Sequence, residues 1–214
     1  GLEGEKWLRY RLIDMSLYHP DSDSLLPLTE NAQYQRDFLA LDVNYVNFSA
    51  NQERVAAGLQ ISWSNLWPEF GADQVLMKLE ADGHGLKEEI IIAEAARKKL
   101  FSQNLANSKS DNNYFGFTFE LDLNDVSKIY REGVEARLND EFVSQGEAVE
   151  LYDELDRLIA FMPVDDLIIK KDGEEIDRRQ LLKKIYRRNN KIYLFIGEKL
   201  SLLKQLPPGK LVFD

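Results

Sequence analysis

Carboxylates are the first residues through which this chain could do chemistry. The segment MPVDDLIIKKDGEEID puts Asp165 and Asp166 ahead of an apolar run, and Glu198 and Lys199 stand side by side further on. A divalent-metal phosphodiesterase or nuclease needs acids at a strand end to hold the ion and a lysine to orient the attacking water. Such sites space the second acid and the lysine one residue apart. Adjacent strand residues point to opposite faces, so Glu198 and Lys199 do not meet that need. The spacing favours turn-flanking acids over a metal centre.

The two histidines, His19 and His84, fall in the loop-like stretches HPDSDSLLP and DGHG. Brought together with an aspartate they could relay a proton, but no spacing joins them. There is no cysteine. That excludes disulfides, thiolate zinc sites, iron–sulfur clusters and a cysteine nucleophile. A three-histidine metal site within the chain is excluded too, while an all-oxygen magnesium or calcium site stays open. GxSxG, Walker A, GxGxxG, HExxH and EF-hand patterns are absent, and no cofactor is expected.

Two segments carry residues suited to non-covalent contact. Trp63, Trp67 and Phe70 cluster around Pro68 and are candidates for gripping a partner, although such residues also close the ends of cores. The run RRQLLKKIYRRNNK, residues 178–191, reads as an amphipathic helix. Leu181, Leu182, Ile185 and Tyr186 would lie on its buried arc, with Arg179, Lys183, Lys184, Arg187 and Arg188 opposite. Those cations are candidates for an anion or partner contact. Charge runs on helices are more often solvated faces, and this one lacks the interleaved aromatics of a single-strand platform. As a solvated face, the five cations are expected to matter little for folding.

Charge narrows the partners. The chain has 214 residues and a net charge of -10. Residues 161–214 hold 12 Lys and Arg against 8 Asp and Glu, leaving 15 and 29 for residues 1–160. An acidic body repels nucleic acid and anionic membranes. A protein partner is the first expectation, nucleic acid the second, and a membrane is not expected. No apolar run approaches the ~20 residues of a helical span, and a cytoplasmic setting is the default.

Periodicity suggests the elements that position these groups. Leu8, Leu12 and Met15 fit a helical stripe; a short helix follows from Thr29; residues 40–63 read as a β-hairpin. ADQVLMKLEA and LKEEIIIAEAARKKLF read as helices. NLANSKSDNNYF reads as a polar loop, YFGFTFELDL as a strand, and the stretch from Asn124 to about Phe161 as a long helix broken near Gly146. DLIIKK, the basic helix and KIYLFIG then form a β-α-β piece, with KLVF a short terminal strand. The fold class expected is α+β: mixed helices with a β-hairpin and a central Phe-rich strand. Residues 1–160 form the main domain and residues 161–214 a small C-terminal subdomain. The function expected is a non-enzymatic binding or assembly module of a larger protein or complex, with the carboxylate enzyme as the alternative.

Overall fold

The computed structural model describes residues 8–28, 59–63, 66–71, 73–82, 85–105, 112–123, 126–137, 142–189 and 191–214. Their strands are β1 (Leu8–His19), β2 (Ser24–Pro27), β3 (Leu59–Trp63), β4 (Val75–Asp82), β5 (Gly85–Ile92), β6 (Tyr114–Leu123), β7 (Lys128–Arg131) and β8 (Val134–Arg137). They continue with β9 (Phe142–Gln145), β10 (Val149–Tyr152), β11 (Leu158–Met162), β12 (Asp166–Lys171), β13 (Glu174–Gln180), β14 (Leu182–Arg188), β15 (Lys191–Lys199) and β16 (Lys210–Phe213). Two six-residue helices, α1 (Glu94–Lys99) and α2 (Leu200–Gln205), sit between strands.

All pairings are antiparallel. Sheet A runs β2-β1-β6-β15-β14-β9, sheet B runs β13-β12-β16-β5-β4-β3, and sheet C runs β11-β10-β7-β8. One continuous apolar cluster joins their inner faces. Sheet A contributes Phe115, Phe117 and Leu194, sheet B contributes Ile90, Ile169 and Phe213, and sheet C contributes Ile129 and Leu151. Such alternation of inward apolar residues is what a face-to-face sheet packing demands. Residues 161–214 supply strands to both six-stranded sheets, so they are woven into the same core as residues from the N-terminal half.

The α+β expectation is therefore corrected to a mainly β architecture, and each misread helix has a physical cause. In β1 the register shifts between Leu12 and Asp14. The extra residue places buried Leu12 and Met15 three apart, which mimics a helical stripe. In β5, Ile90 and Ile92 face the main core, while Ile91 packs with Ile168 and Val212 in a separate cluster on the other face. A strand buried on both faces loses its alternation. Residues 75–81 of ADQVLMKLEA lie in β4 of the same sheet, and of the segment LKEEIIIAEAARKKLF only residues 94–101 are helical, α1 running on into a π-helical turn at Leu100–Asn104. The long helix from Asn124 is replaced by β7 to β11, short strands whose turns carry Glu132, Gly133, Gly146 and Asp156 at positive φ.

The basic helix is likewise two strands, β13 and β14, joined at Leu181. Leu182 packs outward with Tyr18, Tyr114 and Phe195, while Leu181 and Ile185 reach the main core. Burial on both faces again imitated a helical arc. The strands YFGFTFELDL, DLIIKK, KIYLFIG and KLVF are present as read. The helix from Thr29 and most of the 40–63 hairpin lie outside the described residues, as do residues 106–111 of the polar loop.

Candidate functional site

The aromatic candidates belong to the core. The side chain of Trp67 is 1% exposed and stacks on Phe117 at 5.9 Å, and Phe70 is buried beside it. Trp63 ends β3, where only its backbone is described. Pro68 opens a single turn that folds this loop inward over sheet A.

The basic candidates do not gather on one face. Arg179 pairs with Asp177 on the sheet B edge. Lys184 ion-pairs with Asp23 at 2.7 Å and lies over the Tyr18 ring. Lys183 points into the protein, ion-paired with Asp165 at 3.2 Å and donating to the Pro163 carbonyl. Burial pushes the Asp165 carboxyl up to about 6 in spite of that lysine. Burial also pulls the Lys183 ammonium below its ordinary value. Arg187 holds a buried Nε without a hydrogen-bond partner, and Arg188 stands exposed at the end of β14. Strand alternation separates neighbours that a helix would have grouped.

The carboxylates proposed for a metal are also engaged separately. Asp165 has Lys183, and Asp166 accepts from Arg178 at 2.8 Å. Glu198 is buried and accepts from the Lys199 backbone N–H. Among the described residues, no three potential ligands come together as a cation needs. His19 closes β1 with an unbonded Nε2, and His84 lies outside the described residues.

A surface that the sequence reading missed is the β11 edge of sheet C, whose other edge is β8. β11 has the sequence LIAFM and pairs only with β10 among the described residues. Ile159, Ala160 and Met162 pack on the main core, while Leu158 and Phe161 are each 54% exposed. Leu155, in the turn before the strand, is 71% exposed. On the outer face Phe161 sits opposite Glu150, which sits opposite Tyr130, which sits opposite Glu135. Tyr130 and Tyr152 meet edge to face at 5.2 Å. The row therefore alternates aromatic and acidic side chains.

Edge strands normally carry charge, proline or a short span that blocks further pairing. β13 does so with Arg178 bonded to Asp166 and Glu175, and Arg179 bonded to Asp177. β2 ends in Pro27. β11 has neither charge nor proline; its one edge-blunting feature is a bulge at Ile159, the extra residue between Ala160 opposite Leu151 and Leu158 opposite Tyr152. The signal was legible as a neutral run bounded by Arg157 and Pro163, but the expected long helix concealed it. Compared with known proteins, the chain matches no protein-family profile, no curated protein and no solved structure.

Proposed function

We propose that this protein is a non-enzymatic binding module that accepts an extended segment of a partner protein as an added strand on sheet C. The observation that carries the reading is β11, an uncharged edge with Leu158 and Phe161 half exposed. Strand addition uses the free backbone N–H and C=O groups for affinity, and pockets for alternate side chains for specificity.

Charge selects the occupant. Residues 147–166 contain seven Asp and Glu against the single cation Arg157. A complementary segment is apolar along its inner positions and flanked by Lys or Arg. A second copy of this chain brings the same acidic flanks and is disfavoured by like-charge repulsion. The carboxylate enzyme has less support, since Asp165 and Asp166 are each engaged by a cation of the chain.

Fluorescence anisotropy with a labelled peptide of alternating valine and threonine, flanked by lysines, tests the reading. Binding that falls at least ~10-fold in Phe161→Lys, a loss of about 1.4 kcal/mol, is the expected result. Equal binding of a glutamate-flanked peptide, or binding unchanged in Phe161→Lys, counts against it.

A further inference from the structure

The outer face of sheet A carries a separate recess of about 230 Å³, independent of the edge of sheet C. The β1 bulge turns Asp14 outward, opposite Thr118 of β6. The Ser16 and Thr118 hydroxyls are hydrogen-bonded at 2.8 Å, and Tyr186 bonds to Thr118 in turn. Tyr186 and Tyr193, on neighbouring strands, stack at 5.3 Å with planes 20° apart. Arg188 and Asn189 form the rim where the β14–β15 hairpin turns, and Asn189 takes a left-handed φ of 51°. Leu25 and Pro27 of β2 form an apolar wall on the other side.

The polar groups here are unusually complementary in kind. Asp14 is half-buried without an ion-pair partner among the described residues, and burial alone pushes its carboxyl up to about 6. Asp14 enters the recess from β1 and Arg188 from the far end of β14, so an acceptor and a donor come to it from different strands. Between them lies a chain of hydroxyls that can each donate and accept.

Other ligand classes fit less well. A metal ion needs several oxyanions, and Asp14 is the only carboxylate lining the recess among the described residues. A quaternary ammonium needs free aromatic faces. Tyr186 is already stacked on Tyr193, and Lys184 lies 6.0 Å from its centroid. An anion meets both the Asp14 carboxylate and the net negative charge.

We propose that this recess binds a ring of a neutral saccharide, Asp14 accepting from ring hydroxyls, Arg188 and Asn189 donating to others, and Leu25 and Pro27 covering the C–H face. Sugar hydroxyls donate and accept at adjacent positions, which matches a site that alternates acceptor, hydroxyl chain and donor. The site sits on paired strands rather than a loop, so the groups are held in register before a ligand arrives.

Saturation-transfer NMR on the full chain tests this, with a panel of methyl pyranosides of gluco, galacto, manno, fuco, xylo and N-acetylglucosamine type. Transfer to at least one member is expected. It should disappear in Asp14→Asn, weaken in Arg188→Gln, and persist in the sheet C variant Phe161→Lys. Near-ultraviolet circular dichroism checks that each variant is folded, and Arg188→Gln, on the exposed rim, serves if Asp14→Asn is not. No transfer to any member overturns the proposal. So does transfer that both recess variants leave unchanged, or that Phe161→Lys removes.

Discussion

The ring of Phe213 stands edge-on to the ring of Phe117, with centroids 4.9 Å apart and planes at 90°. One belongs to β16 of sheet B and the other to β6 of sheet A. Phe115 adds a second edge contact to Phe213, and Trp67 stacks on Phe117. This aromatic group is where the last strand of the chain locks onto the other sheet. Phe117→Ala is expected to cost about 3–5 kcal/mol, as for other large core truncations. Urea unfolding followed by tryptophan fluorescence measures it, and Trp67 reports from within the cluster.

Arg97 ties the two helices together. Its guanidinium, on α1, donates to the carbonyls of Leu203, Leu206, Pro207 and Gly209 around the end of α2. Helix C-terminal carbonyls need such donors. Arg97→Met leaves them unpaired and is expected to destabilise by about 2–4 kcal/mol. Arg97→Lys should recover only part of this, because an ammonium cannot match a planar fork that spans several acceptors. The urea midpoints of both variants check the order.

Lys183 and Asp165 form the buried pair of the β14 segment. The expectation that Lys183 lies on a solvated face is corrected, since its side chain is 2% exposed. Lys183→Ala strands a buried carboxylate and is expected to cost about 3–5 kcal/mol. Adding Asp165→Asn should return part of that loss. A double-mutant cycle in urea reads the coupling.

Asp14 gives a pH dependence with a definite sign. Burial holds its proton in the folded chain up to about pH 6, against 3.8 for the ordinary carboxyl. Between those values the folded chain binds more protons than the unfolded one, so this group's contribution falls as pH rises. The recess it lines also holds the Ser16, Thr118, Tyr186 and Tyr193 hydroxyls and Arg188 at the rim. Asp14 is only partly buried, and solvent screening limits the effect to about 1 kcal/mol. Asp14→Asn is expected to be more stable than the parent chain at pH 7 and indistinguishable from it below pH 4. Thermal melts across that range test it.

The legible parts of the fold are clean alternations and short apolar runs bounded by turn residues. In β6, Phe115, Phe117, Phe119 and Leu121 alternate with Tyr114, Gly116, Thr118 and Glu120, so the period of two survives in the sequence although Tyr114 and Thr118 are themselves buried. Where both faces are apolar and the flanking residues favour helix, as at Ile90–Ile91–Ile92 and Leu181–Leu182, the period is erased and helix propensity fills the gap. A bulge does the same to β1. The candidate sites were less legible than the fold. Trp67 and Phe70 looked available because a loop sequence does not reveal that Pro68 turns it inward. The edge of sheet C becomes a feature only once β7 to β11 are known to be strands, since an edge is a property of pairing rather than of composition.

The most direct test of the central claim is amide hydrogen exchange of residues 158–162, resolved by NMR, with and without the lysine-flanked valine–threonine peptide. The backbone groups of β11 that face away from β10 have no strand partner among the described residues. The account predicts that their amides become protected when the peptide is present, that protection weakens as salt is raised, and that the glutamate-flanked peptide produces none. Exchange at 158–162 that the lysine-flanked peptide leaves unchanged, or protection that appears only on other strands, would contradict it.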